Sequence, residues 1–352
     1  MTIDTIPLDT QNSFASIAAG KQEPAWLQQA RAEAFALAEK LPLPVLEKTR
    51  IDRWALGSTG EYRAPAQVSD ESELPAELAD LLGEHKSPNL LVQQDSGVVF
   101  ARLSPELESQ GVILTSLEEA AAKHPELVQK YLFQAVRPDE NRLSALHAAL
   151  WNGGLFLYVP KNVEVKDPVQ AIYYSASADA TFAPHVLIVA ETNSSVTYVD
   201  NYLSAPAAGS SVLHAGAVEV FAKAGAKVRA ATVHHLGSHV TDINFRRAVI
   251  ENDAKVEWIA GELSNGNAVA DTYSVLRGSG AETDMKVIAV GSGDQKLNYT
   301  TRAVHLGRST ASNMITRAVM RDEASAIING ITKIEHGARK ADGQQTERVL
   351  ML

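Results

Sequence analysis

The 352 residues include no cysteine, which removes disulfides, thiolate metal ligation and cysteine nucleophiles from this polypeptide. Any sulfur-ligated group has to be held elsewhere. Proline stops at Pro206, so the following 146 residues contain none. Because proline lacks the N–H that a sheet ladder uses, a long proline-free, β-branched stretch suits continuous hydrogen-bonded strands. No run of about 18 apolar residues occurs, and Met1-Thr2-Ile3-Asp4-Thr5-Ile6-Pro7 has neither a basic n-region nor an apolar h-region. The reading is a cytoplasmic protein. Basic residues are outnumbered, 32 Lys and Arg against 42 Asp and Glu for a net charge of −10. That balance argues against nucleic acid or an anionic membrane as the main partner, leaving open local positive patches at Arg246-Arg247 and Lys333 to Lys340. A G-x-x-x-x-G-K-[ST] loop is missing too, so the chain is not itself a P-loop ATPase.

What is present is a returning turn motif: Gly, Asp or Ser, then a small residue, a variable one and usually a β-former. It reads Ser194-Ser195-Val196-Thr197, Gly225-Ala226-Lys227-Val228, Asp253-Ala254-Lys255-Val256 and Gly280-Ala281-Glu282-Thr283, with first residues 31, 28 and 27 apart. Looser echoes follow at Thr310-Ala311-Ser312 and, only 13 residues later, at Glu323-Ala324-Ser325. A fixed period of this length means stacked units. Between the turns lie short alternating runs such as Val256-Glu257-Trp258-Ile259 and Met285-Lys286-Val287-Ile288-Ala289-Val290, period 2 with small-residue corners. A β-solenoid accounts for the period, the alternation and the missing proline together. An antiparallel sandwich is the local look-alike, and the regular spacing favours the solenoid.

The first 155 residues have a different texture. With 45% hydrophobic and 21% charged residues, the chain has room for two domains and a real core. A helical run opens at Pro24-Ala25-Trp26-Leu27, with Trp26, Leu27, Ala30, Ala34, Phe35 and Ala38 on one face, and stops before Leu41-Pro42-Leu43-Pro44. Residues 76–82, 116–133 and 139–151 are further helix candidates, the last with Asp139 placed to cap it. Leu90-Leu91-Val92 and Gly97-Val98-Val99-Phe100 read as strands. A mixed α/β domain over 1–155 therefore precedes a β region over 156–352, joined near Asn152-Gly153-Gly154.

Searches for catalytic chemistry return little. Gly278-Ser279-Gly280 and Gly291-Ser292-Gly293 lack the third glycine and the following helix of a dinucleotide fingerprint, and read as tight turns. Gly307-Arg308-Ser309-Thr310-Ala311 nearly matches a nucleophile elbow but falls where the repeat predicts a corner. His234, His235 and His239 form an H-H-x-x-x-H cluster; on a strand His235 and His239 share a face, making them the metal candidates, while His234 points opposite. The spacing matches no known ligand geometry. Glu118-Glu119 and Asp322-Glu323 read as solvated helix or turn residues.

The segment from Thr332 to Leu352, with Glu335-His336-Gly337-Ala338-Arg339 and Asp342-Gly343-Gln344-Gln345, resembles the core signature of the SufB/SufD family of iron–sulfur cluster assembly proteins. Further matches are Pro24-Ala25-Trp26-Leu27, the pair Arg50 and Trp54, Asn152-Gly153-Gly154 with Tyr158-Val159-Pro160, and Arg308 through Asn313-Met314. The helical N-terminal region and the lack of cysteine resemble the SufD branch more than the SufB branch. The resemblance implies a right-handed parallel β-helix that acts as an assembly component, pairing through that β-helix with a SufB-like subunit and docking on a SufC-like ATPase. It implies no cofactor bound by this chain alone, a cluster assembled on the complex, and leaves a reduced flavin on that complex as an open question. In the family a further stretch follows the D-G-Q motif and adds a helical domain that binds the ATPase. Its candidate cluster histidine lies there, so His336 is not its equivalent, and the expectation is a chain truncated at Leu352 that binds the ATPase weakly or not at all. Two other classes compete. A solenoid carbohydrate-active enzyme needs a cleft with clustered Asp, Arg and Lys or a hexapeptide repeat, and a structural solenoid normally carries a secretion signal. Neither pattern is seen.

Overall fold

A computed structural model describes residues 6–75, 78, 82, 87–206 and 210–352. Two sheets run the length of the β region, and consecutive strands fall alternately on one and the other. The first sheet holds β5 (Val169–Ser175), β7 (Ser195–Ser204), β9 (Lys227–His235), β11 (Lys255–Glu262), β13 (Glu282–Gly291), β15 (Ala311–Met320) and β17 (Asp342–Met351). The second holds β4 (Leu155–Val159), β6 (His185–Ala190), β8 (Val212–Ala222), β10 (Val240–Ile250), β12 (Ala268–Leu276), β14 (Lys296–His305) and β16 (Ser325–Ile334). Neighbours within these two sets pair in parallel, which gives a β-solenoid of about seven turns and excludes the antiparallel sandwich.

The turn motif is the corner of each coil. Asn162, Asn193, Gly225, Asp253, Gly280, Ser309 and Lys340 all have φ between 55° and 70°, the left-handed region that Gly, Asn and Asp tolerate best. That reversal turns each amide toward the next coil. The N–H groups of Asn193, Gly225, Asp253 and Gly280 donate to the carbonyls of Ala224, Asn252, Ser279 and Arg308 at 2.8–2.9 Å, so the ladder continues round the bend. The next residue, Ser194, Ala226, Ala254, Ala281 or Thr310, is buried in the corner, and two further on Val196, Val228, Val256, Thr283 and Ser312 begin the interior face. The true phase therefore starts at Asn193 and Ser309, one residue before the expected Ser194 and Thr310, because the left-handed residue, not the small one, defines the bend. The early echo at Glu323 is the opposite corner of the same coil: Asp322 and Gly293 have φ of 58° and 62°, and the Gly293 N–H donates to Asp322 Oδ2 at 2.9 Å.

The N-terminal region caps and flanks this stack. Strand β1 (Asn89–Gln94) adds in parallel to β5, β2 (Gly97–Arg102) closes that sheet in antiparallel, and β3 (Ile113–Ser116) does the same on β4. The sheets thus reach back across the expected join at 152–154. Helices α1 (Leu8–Gly20), α2 (Ala25–Lys40), α3 (Pro105–Ser109), α4 (Leu117–Lys123), α5 (Pro125–Tyr131) and α6 (Arg142–Leu150) complete the region. Leu27, Leu117, Ala120 and Trp151 pack on Phe156, Leu187, Phe221 and Val249, so this layer covers the outer face of β4, β6, β8 and β10. Covered on both faces, β6 and β10 are buried at every position, whereas β9 and β13 alternate.

Three expectations change. The helix over 116–133 is two, because Pro125 forces His124 out of the helical region (φ −130°, ψ 50°). The helix over 139–151 begins at Arg142 and is capped by Asn141, whose side chain accepts from the Leu143 and Ser144 amides while the Ser144 hydroxyl accepts from the Asn141 N–H; Asp139 pairs with Arg137 instead. The helix over 76–82 lies, apart from Leu78 and Leu82, outside the described residues.

Candidate functional site

Solenoid interiors are ordinarily apolar, and the first coils of this one are, lined by Val, Ala, Leu and Ile, with Ala, Met, Thr and Ser in the last coils. Its middle coils differ. Inward-facing positions of β7 to β11 carry Asp200, Tyr202, His214, Thr232, His234, Asp242, Asn244, Arg246 and Glu262, all buried. Strand register explains their meeting: His214 on β8 lies directly beside Asp242 on β10, and Tyr202 on β7, His234 on β9 and Glu262 on β11 form one row of the facing sheet.

At the centre the Asp242 carboxylate receives three donors. His214 Nδ1 lies 2.7 Å from Oδ1, His234 Nδ1 lies 2.9 Å from Oδ2, and the Asn244 side-chain amide donates to Oδ1. Burial alone would raise the Asp242 pKa, but the two paired imidazoles outweigh it and hold the carboxyl well below the usual range. His214 is driven the other way: burial lowers its pKa by more than Asp242 raises it. Tyr202 stacks on His234 with ring centroids 4.2 Å apart and planes 16° off parallel. Glu262 accepts from Arg246 Nη1 at 2.7 Å. Some atoms have no partner: His214 Nε2 and Arg246 Nη2 are buried and unpaired, unusual for interior polar groups. Burial raises the Asp200 pKa.

A second buried cluster lies outside the lumen, between the helical layer and the sheet. The Glu219 carboxylate accepts the backbone N–H groups of Phe133, Ala135 and Val136 at 2.7, 2.6 and 2.8 Å and faces His185 Nε2 at 3.0 Å. His185 Nδ1 lies 2.9 Å from His147 Nε2, and His147 Nδ1 donates to the Ala215 carbonyl at 2.9 Å. This arrangement anchors the 133–136 turn to β8.

Of the sequence candidates, His234 enters the interior cluster. His235, the last residue of β9, is exposed on the outer face, and His239 lies past the strand end in the link to β10, half-buried. Leu236-Gly237-Ser238 turns the chain, so strand spacing does not extend from 235 to 239, and neither joins His234. His214 and Asp242 escaped the sequence reading because they stand on other strands than His234; they are 28 residues apart, one coil, and the repeat period is the signal that pairs them. Arg246-Arg247 forms no surface patch: Arg246 points inward, and Arg247 is buried with its Nη2 2.9 Å from Asp271. Glu118 is not simply solvated, since it pairs with the buried Lys21 and accepts the Gly153 N–H at 2.8 Å. Ser309 of the near-elbow is a left-handed corner residue.

Two family models match. Residues 173–352 match the one described as SUF system FeS cluster assembly, SufBD core domain, and residues 91–171 match the SufBD protein N-terminal region. The chain is 41% identical to the iron–sulfur cluster assembly protein SufD of Bacillus subtilis, with all of this chain and 81% of that protein aligned. It is 28% identical to SufBD family proteins of Staphylococcus epidermidis and Staphylococcus aureus, over 96% of this chain and 74% of each relative.

Proposed function

This chain belongs to the SufBD family of the SUF iron–sulfur cluster assembly system, and from that membership we propose that it works as the SufD-type subunit of an assembly scaffold. In this reading it pairs through its solenoid with a SufB-like subunit, and the two act with a SufC-like ATPase to build and pass on clusters. In this reading the cluster is cargo of the complex. The ATPase partner supplies nucleotide hydrolysis and a partner thiolate supplies sulfur ligation, in keeping with a sequence that has no P-loop and no cysteine. A reduced flavin, where one takes part, belongs to the assembled complex.

The observation that carries the reading is the 41% identity to a protein named SufD along the whole chain, through both the helical layer and the solenoid. Apolar side chains on outer faces add support for association, with Ile288 59% and Ile331 40% exposed. The test is co-expression with SufB-type and SufC-type partners and mass determination by light scattering. A stoichiometric three-protein complex is expected. A chain that elutes alone from both partners, in this form and in a form extended to the length of its relatives, would refute it.

A further inference from the structure

We propose that the solenoid interior holds one divalent transition-metal ion, liganded by the imidazoles of His214 and His234 and the carboxylate of Asp242. One ligand atom from each of these residues lies within 4.8 Å of the others, and all three residues are buried. They come from three strands, β8 and β10 of one sheet and β9 of the other, so they approach a common point from both sides of the lumen. Rigid strands, not a loop, set the geometry. Two imidazole nitrogens and one carboxylate oxygen suit iron(II), zinc, manganese or cobalt, and offer little to calcium or magnesium, which prefer oxygen ligands alone.

Charge gives a second, independent argument. The interior of these coils contains three carboxyls, Asp200, Asp242 and Glu262, against the single guanidinium of Arg246. A buried surplus of negative charge is costly without a counterion, and a divalent cation supplies one. A third observation is that His214 Nε2 is buried without a partner, an unmet hydrogen-bonding demand beside the proposed ligands. Gly216, on the same face of β8, is close-packed against the cluster: an added Cβ would come within 2.9 Å of that nitrogen and 3.0 Å of Asn244 Oδ1.

Proton accounting is simple. Each imidazole now directs Nδ1 at Asp242, so ligation through Nδ1 moves its proton to Nε2 or releases it. The ion takes the place of those protons between the rings and the carboxylate. Asn244 stays in reach as a hydrogen-bonding or fourth ligand group. The inference does not depend on the assembly role proposed above, because it concerns the chain alone.

The experiment is metal loading of the purified full chain by anaerobic refolding with iron(II), zinc or cobalt(II), followed by exhaustive buffer exchange and elemental analysis. The expected result is about one retained ion per chain, together with a metal-dependent rise in thermal midpoint. The cobalt form should show a visible ligand-field spectrum, and X-ray absorption should show only N and O ligands at about 2.0–2.2 Å. His214→Gln and His234→Gln should each weaken retention at least tenfold, while the double variant His235→Asn, His239→Asn should retain the ion. Less than about a tenth of an ion per wild-type chain at saturating metal, or an ion that leaves with the 235/239 double variant and stays in His214→Gln, would overturn the proposal. If the buried variants do not fold, the wild-type stoichiometry and absorption spectrum decide it.

Discussion

Replacing Glu219 with Gln changes one oxygen for an amide nitrogen and almost no volume, so it tests electrostatics without opening a cavity. In the native chain Oε1 accepts from the Ala135 and Val136 amides and Oε2 from the Phe133 amide, opposite His185. In the best orientation Gln keeps its oxygen on Ala135 and Val136 and turns its nitrogen to His185. The Phe133 N–H then meets a donor instead of an acceptor. A buried, orphaned backbone N–H costs about 1–3 kcal/mol, and two charge-assisted bonds fall to neutral strength at roughly 0.5–1 kcal/mol each. Phe133 adds a further term, because its φ of 59° is unfavourable for an aromatic residue and persists only while its surroundings hold it. Without the Phe133 contribution the sum is a loss of about 2–5 kcal/mol. Urea unfolding followed by tryptophan fluorescence measures it, with the slope against urea unchanged. Trypsin at Lys130, just before the turn, gives the local readout, and cleavage there should accelerate. A variant within about 0.5 kcal/mol of wild type, with no faster cleavage, would show that the turn is not held by this carboxylate.

Burial lowers the pKa of both His147 and His214, so each is neutral in the folded chain while the unfolded chain takes up protons as pH falls through about 6.5. Stability should therefore drop on acidification, by up to roughly 1.4 kcal/mol per pH unit for each ring. Asp95 and Asp200, whose pKa values burial raises, oppose that slope only up to their own shifted values. Unfolding midpoints between pH 7.5 and 5.5, compared with His147→Gln, check it; a flat wild-type profile would contradict the assignment. At the solenoid corners Gly307→Ala should unfold the chain or cost more than about 4 kcal/mol, since its Cβ would lie 1.9 Å from the Gly278 carbonyl oxygen. Gly293→Ala, with φ of 62° and nothing within 4 Å of the added carbon, should cost only about 1 kcal/mol of backbone strain. Equal losses at the two sites would refute the crowding argument.

Periodicity made the solenoid legible because each coil repeats the same local demands: a left-handed residue, a small residue turned inward, then alternation. The same logic explains the one-residue error in phase at Ser194 and Thr310, where Asn193 and Ser309 carry the bend and neither looks like a glycine. Helix ends were less legible. Asp139 and Asn141 are equally good caps by type, and only Arg137 drawing Asp139 aside decides between them. The interior cluster was hidden for a different reason. His214 and Asp242 are neighbours through strand register and His234 meets them across the lumen, and a motif search along the chain compares residues a few positions apart. Arg246 and Arg247 show the converse limit: two adjacent cations on a strand face opposite sides, and here β10 is covered on both, so neither reaches solvent.

The left-handed corner residues also bear on how such a chain can change length. From Asn162 to Lys340 they stand between 27 and 32 residues apart, yet each finds the same place above the last. In the widest step, from Asn193 to Gly225, seven residues separate β7 from β8, against four between β9 and β10. The fold resembles a book with a sewn spine and an untrimmed fore-edge. Insertions and deletions are free to accumulate at one margin while the stitching stays in order, and that margin is where related chains should differ most in length.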